Sequence, residues 1–397
     1  MSDCPIATCD EMLLLLLGSS LALLPAVPPA RLAQSPTMSI SPPSRRAVLL
    51  GASAAAALAL PPAAHAASGM YSPAAGSLTG TTILITGANT GLGLESAKRL
   101  AAGGARIVVT ARSQKKAEEA AAAVRAGAGI AAANVVAVQI DLADLKSVRS
   151  TPQRLEAALG GSQPIDCLIN NAGVMAIPER LETADGFERT VGVNHLGHFA
   201  LVSALLPSLK RAPKGFRIIN VSSDAHKLAS SQSLTSALDA DLNPAEYSQW
   251  GQYSTSKAAN ILFTVELQKR LDAAGIPGSV VSVHPGLVQT DLSRYIIGGA
   301  AAGDTRLSET VEPPTGIGKA LKEKLLDKLI QPIEEGASTQ IYLAAGADTG
   351  GKLAQRSPSM YYAEMKPDTP VSAATDASLA KRLWEVSERL TGAKMGI

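Results

Sequence analysis

Short runs rich in β-branched residues alternate with longer alanine-rich, charged stretches from Thr81 to His284. The runs predict strands and the stretches predict helices, because the two kinds of segment differ in length and in hydrophobic period. The predicted strands are 81–86, 106–111, 135–140, 165–170, 217–221, 279–284 and an edge strand at 360–363, and the predicted helices are 92–102, 115–125, 145–159, 187–210, 253–271 and 341–345. Such helices return the chain so that successive strands run parallel. The sequence therefore predicts an α/β protein built on a doubly wound parallel β-sheet.

The composition is that of a globular protein. Hydrophobic residues make up 46% and charged residues 18%, with a net charge of +2, so neither a disordered chain nor a nucleic-acid-binding protein is indicated. Aromatic residues are only 3%, too few for stacking on single-stranded bases. Three cysteines and five scattered histidines predict neither a disulfide framework nor a metal site. No repeat or linker divides the chain after residue 80, so we expect a single domain at 80–391 and a short tail at 392–397.

The N-terminal region has the composition of a targeting segment. Between Glu11 and Glu95 the chain has no acidic residue, and Ala, Ser, Pro and Leu dominate the interval. Two apolar runs, 13–27 and 47–60, are shorter than the ~20 residues that a membrane-spanning helix needs. These features are typical of transit and signal peptides.

A pair of arginines, Arg45 and Arg46, precedes the second apolar run, and the cleavage-like sequence Ala64-His65-Ala66 follows it. We expect residues 1–66 to be a presequence that is removed and 67–79 to be a linker. A targeting region followed by a twin-arginine-like signal resembles the two-part presequence of a thylakoid-lumen protein, which predicts a plastid location. An ordinary organelle transit peptide and an uncleaved membrane anchor in the secretory pathway are the alternatives.

A glycine-rich turn joins the first predicted strand to the first predicted helix. The turn reads Gly87-Ala88-Asn89-Thr90-Gly91-Leu92-Gly93, and its backbone amides and the helix N-terminus can face a pyrophosphate. The three glycines permit the sharp turn, the close approach of the phosphates and the packing of helix on strand. The spacing differs from G-x-G-x-x-G, and a plain turn is the alternative. The position of the turn favours a Rossmann-type dinucleotide site at Gly87, Asn89, Gly91, Leu92 and Gly93.

The end of the second predicted strand indicates which dinucleotide binds. An NAD enzyme would carry Asp or Glu there, whereas this chain has Arg112, with Lys115 and Lys116 close behind. The Arg112 guanidinium can bind a 2′-phosphate through a forked, charge-assisted contact that a carboxylate would oppose. The sequence therefore favours NADP(H), and a solvated basic helix start is the alternative.

Two further segments carry groups suited to proton transfer. Tyr253 and Lys257 are four residues apart, which places a phenol and an amine on one helix face. A nearby ammonium lowers the pKa of a phenol, so the pair could exchange a proton with an alcohol or carbonyl oxygen. Upstream, strand 217–221 ends in Ser222-Ser223, where a hydroxyl can bind the substrate oxygen.

Six motifs occur in order and resemble the short-chain dehydrogenase/reductase family from about Gly80 to Thr391: T-G-x-x-x-G-x-G, N-N-A-G, V-N-H-x-G-H-F, N-V-S-S, Y-S-x-S-K and H-P-G-x-V-x-T. The resemblance implies that Tyr253 is the general acid/base and that Lys257 lowers its pKa and binds the nicotinamide ribose. It also implies that Ser223 orients the substrate carbonyl and that Asn194 holds a relay water.

The same resemblance implies further cofactor contacts in three loops. These residues are Asp141 and Leu142 near the adenine, Asn171, Ala172 and Gly173 on the adenosine side, and Pro285, Gly286, Val288 and Thr290 at the carboxamide. Ser222, His195 and His198 are predicted to be structural, and Asp224, His226 and His284 to make local hydrogen bonds.

Several motifs are similar to the retinol dehydrogenase-like branch of this family, to which protochlorophyllide reductase is related. Against the latter, Leu287 stands where that reductase is expected to carry Cys. The apolar segments 225–252 and 292–318 are predicted to be lids for a small hydrophobic alcohol, aldehyde or ketone. Peripheral membrane association and a homodimer through the long helices are further expectations. A double-bond reductase of the protochlorophyllide type and a non-catalytic NADPH-binding scaffold are the alternatives.

Overall fold

The computed structural model describes residues 70–128, 134–288, 331–346 and 360–397. Within these ranges the sheet comprises β1 (Thr82–Ile85), β2 (Arg106–Ala111), β3 (Val135–Gln139), β4 (Cys167–Asn170), β5 (Phe216–Val221), β6 (Gly278–Val283), β7 (Tyr361–Ala363) and β8 (Lys366–Pro367). The strand order is β3-β2-β1-β4-β5-β6-β7-β8, and all neighbours are parallel except β7 and β8. The order reverses at β1 and β4, where ligands bind in such sheets. The predicted doubly wound parallel sheet is confirmed.

Helices cover both faces of the sheet. They are α1 (Gly91–Ala102), α2 (Gln114–Ala128), α3 (Leu145–Arg149), α4 (Thr151–Leu159), α5 (Arg189–Val191), α6 (Gly197–Leu209), α7 (Ser231–Asp239), α8 (Gln249–Ala273), α9 (Ile333–Gly336), α10 (Ser338–Ala345) and α11 (Ala377–Thr391). A π-helical turn, Gly192–Leu196, joins α5 to α6, and a 3₁₀ turn, Asp224–Leu228, precedes α7. Among the described helices, none is long and apolar enough to cross a bilayer.

Two predicted helices are divided in the structure. The segment predicted as one helix at 145–159 breaks at Ser150, because Pro152 lacks the N–H that a continuous helix needs and instead occupies the first turn of α4. The segment 187–210 begins at Arg189, after Glu188 has capped the amides of Thr190 and Val191, and then contains the π-helical turn.

Alternate side chains of the central strands enter two cores. Leu84 packs in the core that contains Phe199 of α6, whereas Ile83 and Ile85 pack in the core that contains Leu100 of α1. Each of these residues is fully buried. Strands buried on both faces explain the unbroken apolar runs in the sequence.

The C-terminal helix α11 closes the core over α6 and α8. Its Trp384 ring lies 5.1 Å from Phe199 and 6.0 Å from Phe263, measured between ring centroids. The Arg270 guanidinium lies 4.3 Å from the centroid of the Trp384 ring. These contacts bury Trp384 of α11 to 2% exposure against α8, the helix that carries Tyr253. The end of the chain is therefore part of the support of α8.

Residues on either side of the predicted domain also pack on it. Tyr71, in the predicted linker, packs edge-on against Tyr342 with a centroid distance of 5.3 Å, and Leu78 is buried in the α1 core. In the predicted tail, Met395 is buried, and Arg270 donates to the carbonyl of Ile397. The domain boundaries at 80 and 391 stay predictions. The described residues just outside them, on both sides, contact the domain. The predicted presequence lies outside the described residues.

Replacing Trp384 by Ala should lower the free energy of unfolding by about 3–5 kcal/mol, because the indole leaves a cavity between Phe199 and Phe263. Urea unfolding of the purified variant measures the change. The matched control is Lys381→Ala on the exposed side of α11, for which we expect a change within about 0.5 kcal/mol. Similar losses in both variants would contradict a specific role for Trp384.

Candidate active site

The turn between β1 and α1 can be built only with glycines at its contacts with the loop after β4. Gly87 has φ +62°, and a methyl group on it would lie 3.0 Å from Ala172 Cα. A methyl group on Gly93 would lie 2.6 Å from both Asn171 Nδ2 and the Gly87 carbonyl oxygen. The first turn of α1 has no acidic residue, so the positive end of this helix is not neutralised there. This cradle fits the pyrophosphate of a dinucleotide.

The hydroxyl of Thr86 joins the two loops of this cradle. It accepts hydrogen bonds from the Asn171 and Ala172 amides at 2.9 and 3.0 Å and lies 2.9 Å from His198 Nε2. His198 Nδ1 donates to the Asn194 carbonyl at 3.0 Å, so its Nε2 accepts from Thr86. Burial lowers the pKa of His198 to about 4, which keeps the ring neutral. His198 is therefore a structural residue here, as predicted.

His195 is likewise buried. Its Nε2 lies 2.8 Å from Ser387 Oγ, and burial, followed by the nearby His198, lowers its pKa to about 3. Among the described residues, no group of three His, Cys, Asp or Glu side chains could hold a metal ion.

Tyr253 and Ser223 meet at the carboxyl end of β5. Tyr253 is 2% exposed, because α8 begins at Gln249, where Ser248 caps the Gly251 amide, and buries its N-terminal half against the sheet. Burial raises the pKa of the Tyr253 phenol to about 12, although its hydrogen bond with the Ser223 side chain acts in the opposite direction.

The amine of Lys257 lies one helical turn from the phenol. Its Nζ is 5.6 Å from the centroid of the Tyr253 ring and donates to the Val221 carbonyl at 3.1 Å. Asn260 Nδ2 donates to the same carbonyl at 3.1 Å. Burial lowers the pKa of Lys257 to about 8.

The expected lowering of the Tyr253 pKa by Lys257 is not found. Burial has the largest effect on the phenol, and the amine is directed to the Val221 carbonyl rather than to the tyrosine hydroxyl. The i and i+4 spacing therefore brings the two side chains together, as predicted, but in this structure the phenol keeps its proton more firmly than free tyrosine does.

Asn194 occupies the π-helical turn between α5 and α6. Its Oδ1 accepts from the Val174 amide at 2.8 Å, and its Nδ2 donates to the Val174 carbonyl at 2.9 Å and to Ser256 Oγ at 3.0 Å. A methyl group on Gly173 would lie 3.2 Å from Asn194 Oδ1 and 3.6 Å from Lys257 Nζ. The glycine thus leaves space between the amide and the amine.

The two serines after β5 have different roles. Ser222 is 2% exposed and donates to the Lys257 carbonyl at 2.8 Å, which holds the strand end against α8. Ser223 is half-buried, accepts from the Ala225 amide at 3.2 Å and bonds with Tyr253. Of the two hydroxyls, that of Ser223 faces the Tyr253 phenol.

The predicted adenosine contacts lie at the ends of β2 and β3. Arg112 directly follows β2 and is exposed, and Gln139 donates to its carbonyl at 3.1 Å. Asp141 Oδ1 accepts from the Ala143 amide at 2.9 Å. Leu142 is buried, and a methyl group on Gly197 would lie 2.5 Å from its carbonyl oxygen. Asp141 and Leu142 are thus held by local contacts.

The loop after β6 is described as far as Val288. Pro285 and Gly286 lie next to the segment before α9, because the Gln331 amide donates to the Leu287 carbonyl at 2.8 Å. Thr290 and the predicted lid 292–318 lie outside the described residues.

The prediction that 225–252 is a mobile lid with an apolar lining is wrong, because three of its leucines are packed in the core. Most of its first half forms the 3₁₀ turn and α7, and Leu234, Leu238 and Leu242 are 2–3% exposed in a core with α8 and α11. Their apolar character serves packing, because Leu234 and Leu238 lie four residues apart on one face of α7 and Leu242, just beyond its end, joins the same core.

Gln340 is a site residue that the sequence reasoning did not identify. Its Nε2 donates to Ser96 Oγ at 2.6 Å, to the Leu92 carbonyl at 3.3 Å and to Asn171 Oδ1 at 3.4 Å. Gln340 thereby holds the start of α1 and the loop after β4 from the far end of the domain. No local motif marks this residue.

Comparison with known proteins identifies the family. A family model described as short chain dehydrogenase matches residues 81–235. Retinol dehydrogenase 13 of Homo sapiens is 36% identical over 326 residues, which cover 81% of this chain and 87% of that relative. The chain belongs to the short-chain dehydrogenase/reductase family. The predicted family is confirmed, and with it the assignment to an oxidoreductase family.

Other members of the dehydrogenase/reductase family agree. Short-chain dehydrogenase TIC 32 B, chloroplastic, of Brassica napus is 32% identical over 313 residues, covering 78% of this chain and 88% of the relative. The crystal structure of an uncharacterised protein from Mycobacterium paratuberculosis has a TM-score of 0.56 and 33% identity, covering 83% of this chain and 100% of that one. A short-chain dehydrogenase/reductase from Burkholderia phymatum in complex with NAD, at 21% identity and a TM-score of 0.51, covers 72% and 90% and shares the fold.

Replacing Lys257 by Met should stabilise the ligand-free protein at neutral pH. Because the pKa of Lys257 falls from 10.5 to about 8 on folding, the unfolded chain binds more protons between these values, and wild-type stability rises with pH through this window. Below about pH 8 the folded wild-type protein carries the full cost of burying the charged Lys257 amine. After subtraction of the lost bond to Val221, we expect a gain of roughly 1–3 kcal/mol at pH 7.

Urea unfolding of wild type and Lys257→Met across pH 7–10.5 measures this difference, which should shrink as the pH rises. The control Lys269→Met removes an exposed amine of the same helix and should show little dependence on pH. A gain from Lys257→Met that is equal at every pH would contradict the argument.

Proposed function

We propose that this chain is an NADP(H)-dependent oxidoreductase that interconverts a hydrophobic alcohol and its aldehyde or ketone. The observation that carries the proposal is the buried Tyr253 phenol bonded to Ser223, with the Lys257 amine one helical turn away. Relatives that are 36% identical are named retinol dehydrogenases, which supports a hydrophobic substrate. The glycine cradle and Arg112 support a phosphorylated nicotinamide dinucleotide.

Tyr253 acts as the acid in the proposed reduction. The phenol is protonated at neutral pH and donates this proton to a carbonyl oxygen that Ser223 orients, although its raised pKa makes it a weaker acid than free tyrosine. The Lys257 ammonium would stabilise the remaining phenolate only after turning from the Val221 carbonyl, to which it is directed in this structure, towards the tyrosine hydroxyl. A nicotinamide held by the glycine cradle and Lys257 would supply a hydride, which together with the proton from Tyr253 converts the carbonyl to an alcohol. We assign to Asn194 the water that returns a proton towards Lys257.

Replacing Tyr253 by Phe tests the activity. The variant should lose about 10²–10⁴-fold in kcat, because the proton donor is removed while the ring remains. The rate is followed by the loss of NADPH absorbance with a panel of aldehydes and ketones. Tyr247→Phe is the matched control, since that hydroxyl donates to the Ile177 carbonyl, and it should stay within about tenfold of wild type.

A wild-type protein that binds NADPH but reduces no carbonyl in a broad panel would favour the scaffold alternative. Light-dependent consumption of protochlorophyllide with NADPH would instead favour the double-bond reductase. Against that reductase, the exposed side chain after Pro285-Gly286 is the leucine Leu287, which has no proton to give.

Replacing Arg112 by Ala tests the choice of cofactor. We expect kcat/KM for NADPH to fall about 10–100-fold, the effect of one charge-assisted contact, while that for NADH changes less than about threefold. Lys115→Ala, which removes a cation that is 86% exposed, is the matched control. Equal losses with both cofactors would overturn the assignment of Arg112 to the 2′-phosphate.

We also propose a plastid location. The relatives named TIC 32 A and B are chloroplastic, at 32% identity, which supports the targeting composition of the N-terminal region. A fusion of residues 1–66 to a fluorescent protein tests the location, and retention outside plastids would contradict it.

A further inference from the structure

Two loops that flank the proposed reaction centre are joined by a histidine to which the mechanism gives no role. Ser223 and Asp224 follow β5, and His284 follows β6 and leads directly into Pro285 and Gly286. Because β5 and β6 are neighbours in the sheet, the two loops leave its edge side by side. One loop carries the serine that faces Tyr253, and the other carries the backbone assigned to the nicotinamide half of the cofactor.

The hydrogen bonds of His284 define its tautomer. The Gly286 amide donates to His284 Nδ1 at 3.1 Å, so the ring proton is on Nε2. Nε2 faces the Asp224 carboxylate at 3.7 Å from Oδ1. The ring stacks on Tyr361, with a centroid distance of 6.4 Å and an interplanar angle of 7°. Nδ1 and one ring face are therefore engaged, whereas Nε2 is near Asp224 but beyond hydrogen-bond distance of its carboxylate.

The electrostatic surroundings keep His284 neutral and Asp224 charged. Burial lowers the pKa of His284 despite the opposing effect of Asp224. Burial alone would raise the pKa of Asp224, but His284 and Lys227, whose Nζ is 2.7 Å from Oδ1, lower it. A protonated His284 would lose the bond from Gly286, because Nδ1 would no longer accept it. The neutral ring is thus the form that can join the two loops.

A second ring fixes the serine side of this junction. His226 Nδ1 donates to the Ser223 carbonyl at 2.7 Å, and the Val371 amide donates to its Nε2 at 3.2 Å. His226 also packs against Tyr361 at a centroid distance of 5.2 Å. Both histidines pack against Tyr361, so the side chains that bond the Ser223 carbonyl and the Gly286 amide share one aromatic neighbour.

We propose that His284 is a positioning residue that sets the Pro285–Gly286 backbone relative to Ser223, through Gly286 on one ring nitrogen and Asp224 on the other. The Gly286 bond orients the backbone that receives the nicotinamide half of the cofactor, and the Asp224 contact keeps the serine loop in register with it. This inference rests on the proposed function, because that function assigns these two loops to cofactor and substrate.

Two substitutions separate the two nitrogens. His284→Asn places an amide oxygen where Nδ1 accepts from Gly286 but does not reach Asp224. His284→Gln places a polar group near the position of Nε2 but offers no acceptor to the Gly286 amide. We expect His284→Gln to weaken NADPH binding about tenfold, the effect of one hydrogen bond, and His284→Asn to stay within about twofold. At saturating NADPH, His284→Asn should show the larger loss of kcat.

Calorimetric titration with NADPH and with 2′,5′-ADP, which has only the adenosine half, locates the effect. Both variants should bind 2′,5′-ADP as wild type does, because only the nicotinamide half is displaced. The proposal is overturned if 2′,5′-ADP affinity falls in parallel with NADPH affinity, which indicates a folding defect. It is also overturned if His284→Asn and His284→Gln lose NADPH affinity, or kcat, in the same proportion. The titrations need no turnover, so a wild type without activity would refute the proposed function while the binding ratios still test His284.

Discussion

The tie between the ends of β1 and β4 is the constraint on which the candidate site depends. These strands neighbour each other where the strand order reverses, and one hydroxyl, that of Thr86, accepts the amides of Asn171 and Ala172 at that point. The same hydroxyl contacts His198, which in turn bonds the carbonyl of Asn194. A single buried threonine therefore orients the glycine cradle on one side and the π-helical turn on the other. Loss of the Thr86 hydroxyl would therefore disturb both halves of the site.

The two ionisable side chains of the candidate site, Tyr253 and Lys257, are buried where their charged forms are disfavoured. Burial shifts both Tyr253 and Lys257 towards their neutral forms, and the Val221 carbonyl, which Lys257 shares with Asn260, supplies a neutral partner for the amine. A ladder of buried amides beneath the site supports this arrangement: Asn170 donates to Asn220, which donates to Thr264. These hydrogen bonds connect two neighbouring strands to the helix, although the buried Asn170 Oδ1 has no hydrogen-bond partner in the part of the chain that the structure describes. The site thus draws its rigidity from the centre of the sheet.

Much of the fold could be predicted from the sequence, because its strands are buried on both faces and read as continuous apolar runs. The six main strands lie within a few residues of their predicted positions, whereas the divided helix at Ser150 depended on one proline in the middle of a helical pattern. Tyr253, Lys257 and Ser223 come together as their motifs predict. The direction of the Tyr253 pKa could not be predicted, since it follows from burial by distant residues. Gln340 was not identified for the same reason: it reaches Asn171 across 169 positions of chain.

The position of α11 has a consequence for biogenesis. This helix follows α6 and α8 in the chain, yet its Trp384 fills the space between Phe199 and Phe263 behind the helix of Tyr253. A nascent chain that still lacks residues 377–391 exposes that aromatic pair to water, and its central helices have no partner on this side. Completion of the core therefore waits for the synthesis of residues 377–391, and a chain that stops before them should be recognised by chaperones rather than accumulate.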